Sequence, residues 1–439
     1  MSQPQSRKAL AYSYVVVAIL TLIYTFNYLD RKILAILAEP IRLELGLSDT
    51  AIGLLSGFAF AVFYTTLGVP LAWLADRARR VWIIAAACTL WSLFTAACGM
   101  ATNFVQLALF RTGVAIGEAG GGPPSFSLIS DYFPPERRGK ALAIYILGIP
   151  LGVILGSAAG GYVAAVHGWR MAFFAVGLPG VLLAILLLVV VREPKRGAMD
   201  PLAAGQTEHA KAPPLMTALK YFFSDRTLLL AAFAAAGSSF VGNAVVGWAP
   251  SYLMRAKGME MTQIAAYYSV ATGVAGVAGT ILAGWMVDKW GPRNPRIYGL
   301  VPGVSFLISL PFFLFALWTP GWPLSMVCMS LPFFVNSAYQ PAIFAVVQNS
   351  VPPAQRAISS AILMFVQSML GLSGGPLLVG LVSDHAKQFG DQSLGIGLAA
   401  LAPFILGTAA LYFALAASLS RRGKARALEA HAAAAAATV

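Results

Sequence analysis

Charged side chains are scarce in this chain: Asp, Glu, Lys and Arg make up only 11% of its 439 residues. A soluble globular domain carries about 25% of them. Hydrophobic residues account for 58% of the sequence, and the mean hydropathy is +0.74. A helix crosses the hydrocarbon core with roughly 20 apolar residues, so the chain has room for about twelve such helices with their loops. This composition excludes a soluble protein and predicts an all-α polytopic membrane protein.

Cysteine and histidine are also rare. The three cysteines, Cys88, Cys98 and Cys328, fall within predicted helices. The four histidines share no spacing with Ser, Asp or Cys that would build a hydrolase or a metal site. A glycine-rich phosphate loop ending in Lys-Ser or Lys-Thr is absent as well. The sequence therefore predicts no cofactor and no metal, and it argues against an enzyme and against an ATP-driven machine.

Basic residues are distributed unevenly. The 30 Lys and Arg residues outnumber the 17 Asp and Glu residues, which gives a net charge of +13. With twelve helices both termini lie on one side, and most basic residues fall in the loops on that side. Because basic loops stay in the cytoplasm, we predict cytoplasmic termini and attribute the charge to membrane topology rather than to nucleic-acid binding. The predicted helices span residues 12–38, 50–75, 81–101, 104–130, 140–165, 171–191, 229–254, 262–287, 297–318, 323–349, 357–382 and 393–418.

The chain divides at its one long polar connection, residues 193–228, which contains several prolines and mixed charges. This predicts a cytoplasmic linker between two six-helix bundles, residues 1–192 and residues 229–420. Residues 421–439 are expected to form a cytoplasmic tail that is disordered or a frayed helix.

The two halves repeat a short motif at matching positions. Asp76-Arg77 closes the second predicted helix, and Asp288-Lys289 closes the eighth. Parallel six-helix repeats of this kind are how many secondary transporters are built. The sequence thus predicts two pseudo-symmetric bundles and a transport function.

A carboxylate and a guanidinium stand inside the first predicted helix. Asp30 and Arg31 lie between two apolar runs, Val15–Phe26 and Ile33–Leu37. A charge at membrane depth costs at least a few kcal/mol, and it persists where it faces a water-filled cavity or a partner. We interpret the pair as part of a transport pathway.

Two more charges, Arg111 and Glu118, lie seven residues apart in the fourth predicted helix and therefore on one face. With a rise of about 1.5 Å per residue, Arg111 reaches the depth of Asp30, and Glu118 lies near mid-membrane. We predict that these three residues and Arg31 form one ladder of alternating charges with no net charge. A static buried ion pair is the alternative to a functional role.

Proton coupling needs a carboxylate that changes its protonation state at ambient pH. Asp30 has Arg31 beside it in the sequence and Arg111 at its depth, so we expect it to stay ionised. Glu118 lies in the segment Gly117–Pro124, which has fewer cations and a looser helix geometry. We predict that Glu118 takes up the proton and that Asp30 is its coupled partner.

The second half lacks these charges. Aligning the repeats places Asn336 at the position of Glu118 and Met329 at that of Arg111. Coupling is therefore predicted for the N-terminal half alone, whereas the second half presents polar and aromatic groups to an amphipathic anion. An interhelical hydrogen bond is the alternative role for each lone Asn or Gln. The predicted substrate-binding residues are Arg31, Arg111, Asn27, Asn243, Asn336, Tyr339 and Gln340.

The segment Gly284–Arg293 resembles the signature loop of the major facilitator superfamily, although its first-half copy has Ala72 in place of the leading glycine. The resemblance implies two bundles that rock around a central site by alternating access. In that family the loop latches the halves together through charge contacts, and solvated loop charges are the alternative here. The gating residues that the resemblance implies are Asp76, Arg77, Asp288 and Lys289.

Within the superfamily, three stretches resemble the Spinster branch and its bacterial members: Asn27–Arg31, Gly117–Ala119 and Asp131–Pro134. That branch moves lysophospholipids and sphingoid-phosphate lipids in a proton-coupled manner. The resemblance implies a proton-coupled transporter of a lysophospholipid-like anionic amphiphile in the bacterial inner membrane. We expect a monomer whose partners are that substrate, protons and membrane lipids.

Two other functions stay open. The string Asn27–Arg31 also resembles organic-anion/proton symporters, so a sugar-acid type of organic anion is the alternative substrate. A membrane-embedded lipid-modifying enzyme or a receptor is the alternative of another class. The missing nucleophile constellation disfavours the enzyme.

Overall fold

In the computed structural model, every regular element among the described residues is a helix. The apolar runs fold in this way because a bilayer offers the backbone no hydrogen-bond partner outside the helix itself. The structure describes residues 7–75, 77–195, 198–199, 215–291, 293–336, 339–352 and 355–436.

The first half of the sequence forms helices α1 to α8 in its described part. A π-helical turn, Leu54–Phe58, connects the second and third of them. The helices are α1 (Arg7–Leu45), α2 (Asp49–Gly53), α3 (Ala59–Ala75), α4 (Arg80–Cys98), α5 (Phe104–Ala119), α6 (Gly122–Tyr132), α7 (Pro135–Ile146) and α8 (Gly148–Val190).

The second half forms helices α9 to α19 in its described part. Two π-helical turns, Ile264–Tyr268 and Gln367–Leu372, and a 3-10 turn, Lys387–Gln392, connect some of them. The helices are α9 (Leu215–Ser224), α10 (Arg226–Lys257), α11 (Met261–Gln263), α12 (Ser269–Trp290), α13 (Ile297–Trp318), α14 (Trp322–Asn336), α15 (Tyr339–Ser350), α16 (Arg356–Val366), α17 (Ser373–His385), α18 (Ser393–Ala399) and α19 (Ala402–Ala436).

Ten described segments are long and apolar enough to cross a membrane. One of them, Arg137–Val190, is two spans joined at Gly168, whose φ of +83° bends α8. The pair α5 and α6 adds another span, which is interrupted by a turn at Gly120 and Gly121. Prolines at the start of α6 favour a new helix there because they have no N–H to leave unpaired. Counted in this way, the described residues supply the twelve apolar spans that the sequence predicts.

Contacts divide the chain into two compact units that differ from the two halves of the sequence. Unit 1 takes two segments of the second half, Val246–Gly273 and Pro376–Leu394, in addition to Met1–Thr207. Unit 2 comprises Glu208–Val245, Val274–Gly375 and Gly395–Val439. The ends of α10 and α17 therefore pack with the N-terminal helices within unit 1.

In unit 1, α8 packs against α1 along a row of glycines. A Cβ on Gly152 would lie 2.3 Å from the carbonyl oxygen of Thr25, and a Cβ on Gly156 would lie 2.9 Å from the Cα of Leu29. Small residues let helix backbones approach this closely in a membrane. The contact fixes the part of α1 that carries the charged stretch.

The last helix extends further than the sequence predicted. Helix α19 runs to Ala436, through residues expected to be disordered or a frayed helix. The physical reason is composition, since alanine has the highest helix propensity of the amino acids.

Candidate functional site

Arg31 and Glu118 form a direct ion pair in unit 1. Both Nε and Nη2 of Arg31 donate to Oε2 of Glu118, at 2.9 and 2.6 Å. The other carboxylate oxygen, Oε1, is buried and accepts no hydrogen bond from the described residues. Two donors therefore converge on one oxygen, and the second oxygen is left for a proton or another donor.

A glycine places Glu118 at this position. A Cβ on Gly117 would lie 2.6 Å from the backbone nitrogen of Trp91, so α5 approaches α4 where it carries the acid. Close backbone packing of this kind holds a buried carboxylate in a fixed orientation. The Glu118 side chain is fully buried, whereas that of Arg31 is 17% exposed.

Three aromatic rings surround the Arg31 guanidinium. Its Cζ lies 5.1 Å from the ring centre of Tyr28, 4.9 Å from that of Phe60 and 4.8 Å from that of Tyr64. A guanidinium over aromatic faces is stabilised by the ring quadrupoles, most strongly where water is excluded. We call this arrangement of Arg31, Tyr28, Phe60 and Tyr64 the aromatic cage. It holds the cation in place without neutralising its charge.

Asp30 and Arg111 are close but do not form an ion pair through the carboxylate. Arg111 donates through Nη1 to the backbone oxygen of Asp30 at 3.3 Å. Both residues are 1% exposed, and neither carboxylate oxygen of Asp30 accepts a hydrogen bond from the described residues. The electrostatic neighbours of Asp30 are Glu118, Arg111 and Thr95. Its carboxyl group therefore sits buried with little direct compensation.

This pairing corrects the expectation that Arg31 compensates Asp30. Successive residues on a helix point in different directions and do not face each other. Arg31 faces Glu118 and the aromatic cage, whereas neither carboxylate oxygen of Asp30 accepts a hydrogen bond from the described residues. The four predicted charges lie close together in unit 1, but the acid that Arg31 pairs with is Glu118 rather than Asp30.

Asn27 completes the polar part of this site. It is buried one turn before Arg31 and interacts with Glu118. The structure thus brings together five of the predicted site residues in unit 1: Asn27, Asp30, Arg31, Arg111 and Glu118.

The remaining predicted substrate residues belong to unit 2. Asn243 donates to the backbone oxygen of Ser239 at 2.8 Å and to its hydroxyl at 3.0 Å, so it bonds within its own helix. The Tyr339 hydroxyl accepts from Nε2 of Gln367 at 2.7 Å, and Gln340 is exposed. Asn336 ends α14, and its side chain lies outside the described part of the structure.

The predicted gating residues are only partly described. Asp76 and the side chain of Asp288 lie outside the described part of the structure. Arg77 is exposed. The Nζ atom of Lys289 lies 4.5 Å from the ring centre of Trp285. Their gating role stays a prediction.

Unit 1 contains a second charge cluster that the sequence did not predict. Arg255, near the end of α10, binds Asp49 through two N···O contacts of 2.8 Å and Glu39 through three contacts, the shortest of 2.7 Å. Arg42 joins Glu39 at 2.7 Å, and the Ser383 hydroxyl donates to Asp49 at 2.6 Å. We call these residues the Arg255 cluster. The signal in the sequence is the group of charges just beyond the apolar run of α1, Glu39, Arg42 and Asp49.

Asp384 fastens the same region from α17. Its carboxylate accepts from the backbone nitrogen of Thr50 at 2.8 Å and from the hydroxyl of Thr50 at 2.5 Å. It also accepts from the backbone nitrogen of Asp49 at 3.2 Å. These donors are the unpaired N–H groups of the first turn of α2, where an acid is favourable. The start of α2 is thus capped by a residue from the other half of the sequence.

Residues 20–376 of the sequence match the Major Facilitator Superfamily. The chain belongs to this superfamily. An MFS-type efflux pump of Mycolicibacterium smegmatis is 33% identical over 93% of this chain and 94% of that protein. Mouse protein spinster homolog 1 is 28% identical over 86% of this chain and 74% of that protein. The cis,cis-muconate transport protein of Acinetobacter baylyi is 29% identical over 86% of this chain and 88% of that protein.

A solved structure supports the same branch of the superfamily. The crystal structure of a bacterial homolog to human lysosomal transporter Spinster, in an inward-facing and unoccupied conformation, matches with a TM-score of 0.85. It is 31% identical, and the match covers 96% of this chain and 99% of that chain. The chain is therefore a major facilitator transporter of the Spinster type. The predicted resemblance, the fold class and the prediction that the chain is not an enzyme are confirmed, and the side on which the termini lie stays a prediction.

Proposed function

We propose that this Spinster-type protein moves a lysophospholipid-like anionic amphiphile across the bacterial inner membrane, coupled to protons, by alternating access. One observation carries the proposal. Arg31 is a partly exposed cation, held by Glu118 in the aromatic cage, so it is accessible to a second anion.

The substrate head and Glu118 compete for the same guanidinium. While Glu118 is ionised, its Oε2 takes both nearby donors of Arg31. A proton on Glu118 removes that negative charge and frees the donors for a phosphate or carboxylate, which matches the guanidinium fork well. Protonation and anion binding therefore favour each other, which is the linkage expected of a symporter.

Asp30 supplies the second titratable group of the site. It is buried within electrostatic range of Glu118, without a hydrogen-bond donor in the described residues. Two interacting carboxyl groups titrate as a pair rather than separately. We assign proton coupling to Asp30 and Glu118 together, with Arg111 as the fixed cation that stays with the pair.

An amphiphile suits the surroundings of Arg31. Tyr28, Phe60 and Tyr64 offer apolar faces directly beside the charge, so an acyl chain next to the head group would meet aromatic rings. The similarity to Spinster proteins supports the branch for which the sequence resemblance implies this class of substrate.

A small organic anion is the second candidate. The similarity to a cis,cis-muconate transport protein supports it, and so do the buried polar residues Asn27 and Glu118 near Arg31. Such a substrate would bind through the guanidinium N–H donors of Arg31 and would not need contact with the rings of the aromatic cage.

Uptake into proteoliposomes tests both candidates. Labelled lysophospholipid and labelled muconate are offered separately, each with and without an inward proton gradient. We expect gradient-stimulated uptake of the lysophospholipid. If the proton gradient stimulates uptake of muconate only, muconate replaces the lysophospholipid as the proposed substrate. Uptake that is the same with and without the gradient would refute proton coupling.

A further inference from the structure

A cavity of ≈ 540 Å³ opens in unit 1 between the start of α4 and the end of α8, away from the residues around Arg31. We propose that this cavity binds the head group of an anionic phospholipid from the membrane leaflet next to the basic loops. We call it the basic cavity, and its cationic and apolar lining is Arg79, Arg192, Lys195, Trp82 and Leu188.

A buried network builds one wall of the basic cavity. Arg80, 1% exposed, binds Asp131 at 2.5 Å and Glu193 at 2.8 Å, and it donates to the backbone oxygen of Pro194 at 3.2 Å. The second oxygen of Glu193 accepts from the backbone nitrogen of Val81 at 2.9 Å. These contacts hold the segment after α8 against the start of α4, so the protein itself sets the shape of the cavity.

The same network leaves the cavity positively charged. Glu193 is the one acid among the lining residues, and both of its oxygens are occupied within the wall. Arg79, Arg192 and Lys195 are exposed, and their side chains make no ion pair or hydrogen bond in the described part of the chain. Three free cations around one concave surface are a site for a phosphate group.

The apolar part of the lining indicates a lipid rather than a soluble phosphate. Trp82 is 60% exposed and Leu188 is 37% exposed, and both stand beside the cations. Tryptophan is enriched at the level of lipid head groups, where one end of its ring is wet and the other apolar. Basic pockets between membrane helices on the cytoplasmic side bind anionic lipid heads. A lipid can place its phosphate on the cations and its glycerol and first methylenes on these two side chains.

The test uses the full-length protein purified in a neutral detergent. Phosphatidylglycerol, phosphatidylcholine and glycerol 3-phosphate are added separately, and bound lipid is measured by native mass spectrometry alongside the melting temperature. We expect phosphatidylglycerol to remain bound and to raise the melting temperature, with no effect of the other two. An equal response to phosphatidylcholine overturns the charge argument. An equal response to glycerol 3-phosphate overturns the lipid assignment.

Charge-matched variants locate the site. The triple change Arg79→Gln, Arg192→Gln and Lys195→Gln removes the cations of the basic cavity and is expected to weaken phosphatidylglycerol binding at least about tenfold. Its control replaces three exposed basic residues elsewhere, Arg137, Lys140 and Lys220, by Gln and removes the same charge.

Binding retained by the cavity variant, or lost equally in the control, overturns the proposal. Trp82→Ala is a second test that keeps every charge, and it is expected to weaken lipid binding as well. If the triple variant does not fold, Lys195→Gln alone is measured at its exposed position, and unchanged affinity there counts against the site.

Discussion

Arg255 holds Asp49 by a two-pronged ion pair in which both N···O distances are 2.8 Å. Glu39 shares the same guanidinium, so a residue near the end of α10 is bound to the end of α1 and the start of α2. All of these side chains are largely buried. A buried pair of this kind is costly to break from one side, because the partner left behind keeps its charge without compensation.

Replacing Arg255 by Gln is therefore expected to destabilise the protein strongly. Loss of one partner of a buried ion pair costs about 3–5 kcal/mol, and here two acids, Glu39 and Asp49, would share only Arg42. The melting temperature of the purified protein should fall by several degrees. The melting temperature of the double variant Arg255→Gln/Asp49→Asn should fall by less than the sum of the decreases in the two single variants.

The matched control is Lys387→Gln. Lys387 pairs with Asp384 at 3.1 Å, but its side chain is 67% exposed. Exposed pairs contribute about 0–1 kcal/mol, so its melting temperature should stay close to that of the unchanged protein. An equal decrease in melting temperature in Arg255→Gln and Lys387→Gln would contradict the conclusion that the Arg255 cluster stabilises the protein.

The sequence predicted which charges lie close together in unit 1 but not which of them pair. Counting residues along a helix put Arg111 at the depth of Asp30 and put Glu118 on the same face as Arg111, near mid-membrane. Direction around the helix axis depends on which neighbours pack there, and so the sequence could not show that Arg31 turns to Glu118. The fold itself was predictable because apolar run length and the repeat of the two halves are properties of the chain alone.

The contacts of the Arg255 cluster could not be predicted from the sequence either. Its contacts join residues 206 and 334 positions apart, and no periodicity in the sequence marks such pairs. The sequence also does not predict the close contacts between helix backbones. The glycines of α8 indicate that a neighbouring helix packs closely, but they do not show which residue of α1 each glycine contacts.

Gly152→Ala is predicted to disturb the site from a distance. The added methyl group would lie 2.3 Å from the carbonyl oxygen of Thr25, so α8 and α1 must move apart. Overpacking of this kind costs about 1–3 kcal/mol, and the shift of α1 should also reduce gradient-driven uptake. Gly407→Ala in α19 is the control, because a Cβ there meets nothing within 4 Å. A variant at Gly152 that behaves like the control would show that the helices are not in tight contact.

Arg31→Lys tests whether the shape of the guanidinium matters beyond its charge. Lysine keeps the positive charge but lacks the planar fork and stacks less well on Tyr28, Phe60 and Tyr64. The half-saturating substrate concentration for uptake should rise at least about tenfold, which corresponds to the loss of one charge-assisted hydrogen bond. Arg170→Lys is the matched control, at a half-buried position where the guanidinium also lies over a ring, that of Trp169, and it should leave uptake unchanged. Unchanged half-saturation in Arg31→Lys would exclude a direct contact between Arg31 and the substrate head.

Glu118→Gln separates proton coupling from substrate binding. In the unchanged protein, lower pH should tighten anion binding, because a proton on Glu118 releases Arg31. Glutamine cannot exchange that proton, so anion affinity should lose its pH dependence and uptake should no longer respond to a proton gradient. Substrate exchange between the two sides without a gradient should persist.

Asp30→Asn is expected to abolish the gradient response as well, since the two carboxyl groups act as a pair. Two exposed carboxylates in unit 1 provide controls of the same chemistry, Glu44→Gln and Asp391→Asn, and both should keep the full response. Counterflow and gradient-driven uptake are measured in the same proteoliposomes, so that a folding defect, which lowers both, is distinguished from a coupling defect. A full gradient response in Asp30→Asn with none in Glu118→Gln would assign the proton to Glu118 alone, because the buried neighbour would then act only as a fixed charge.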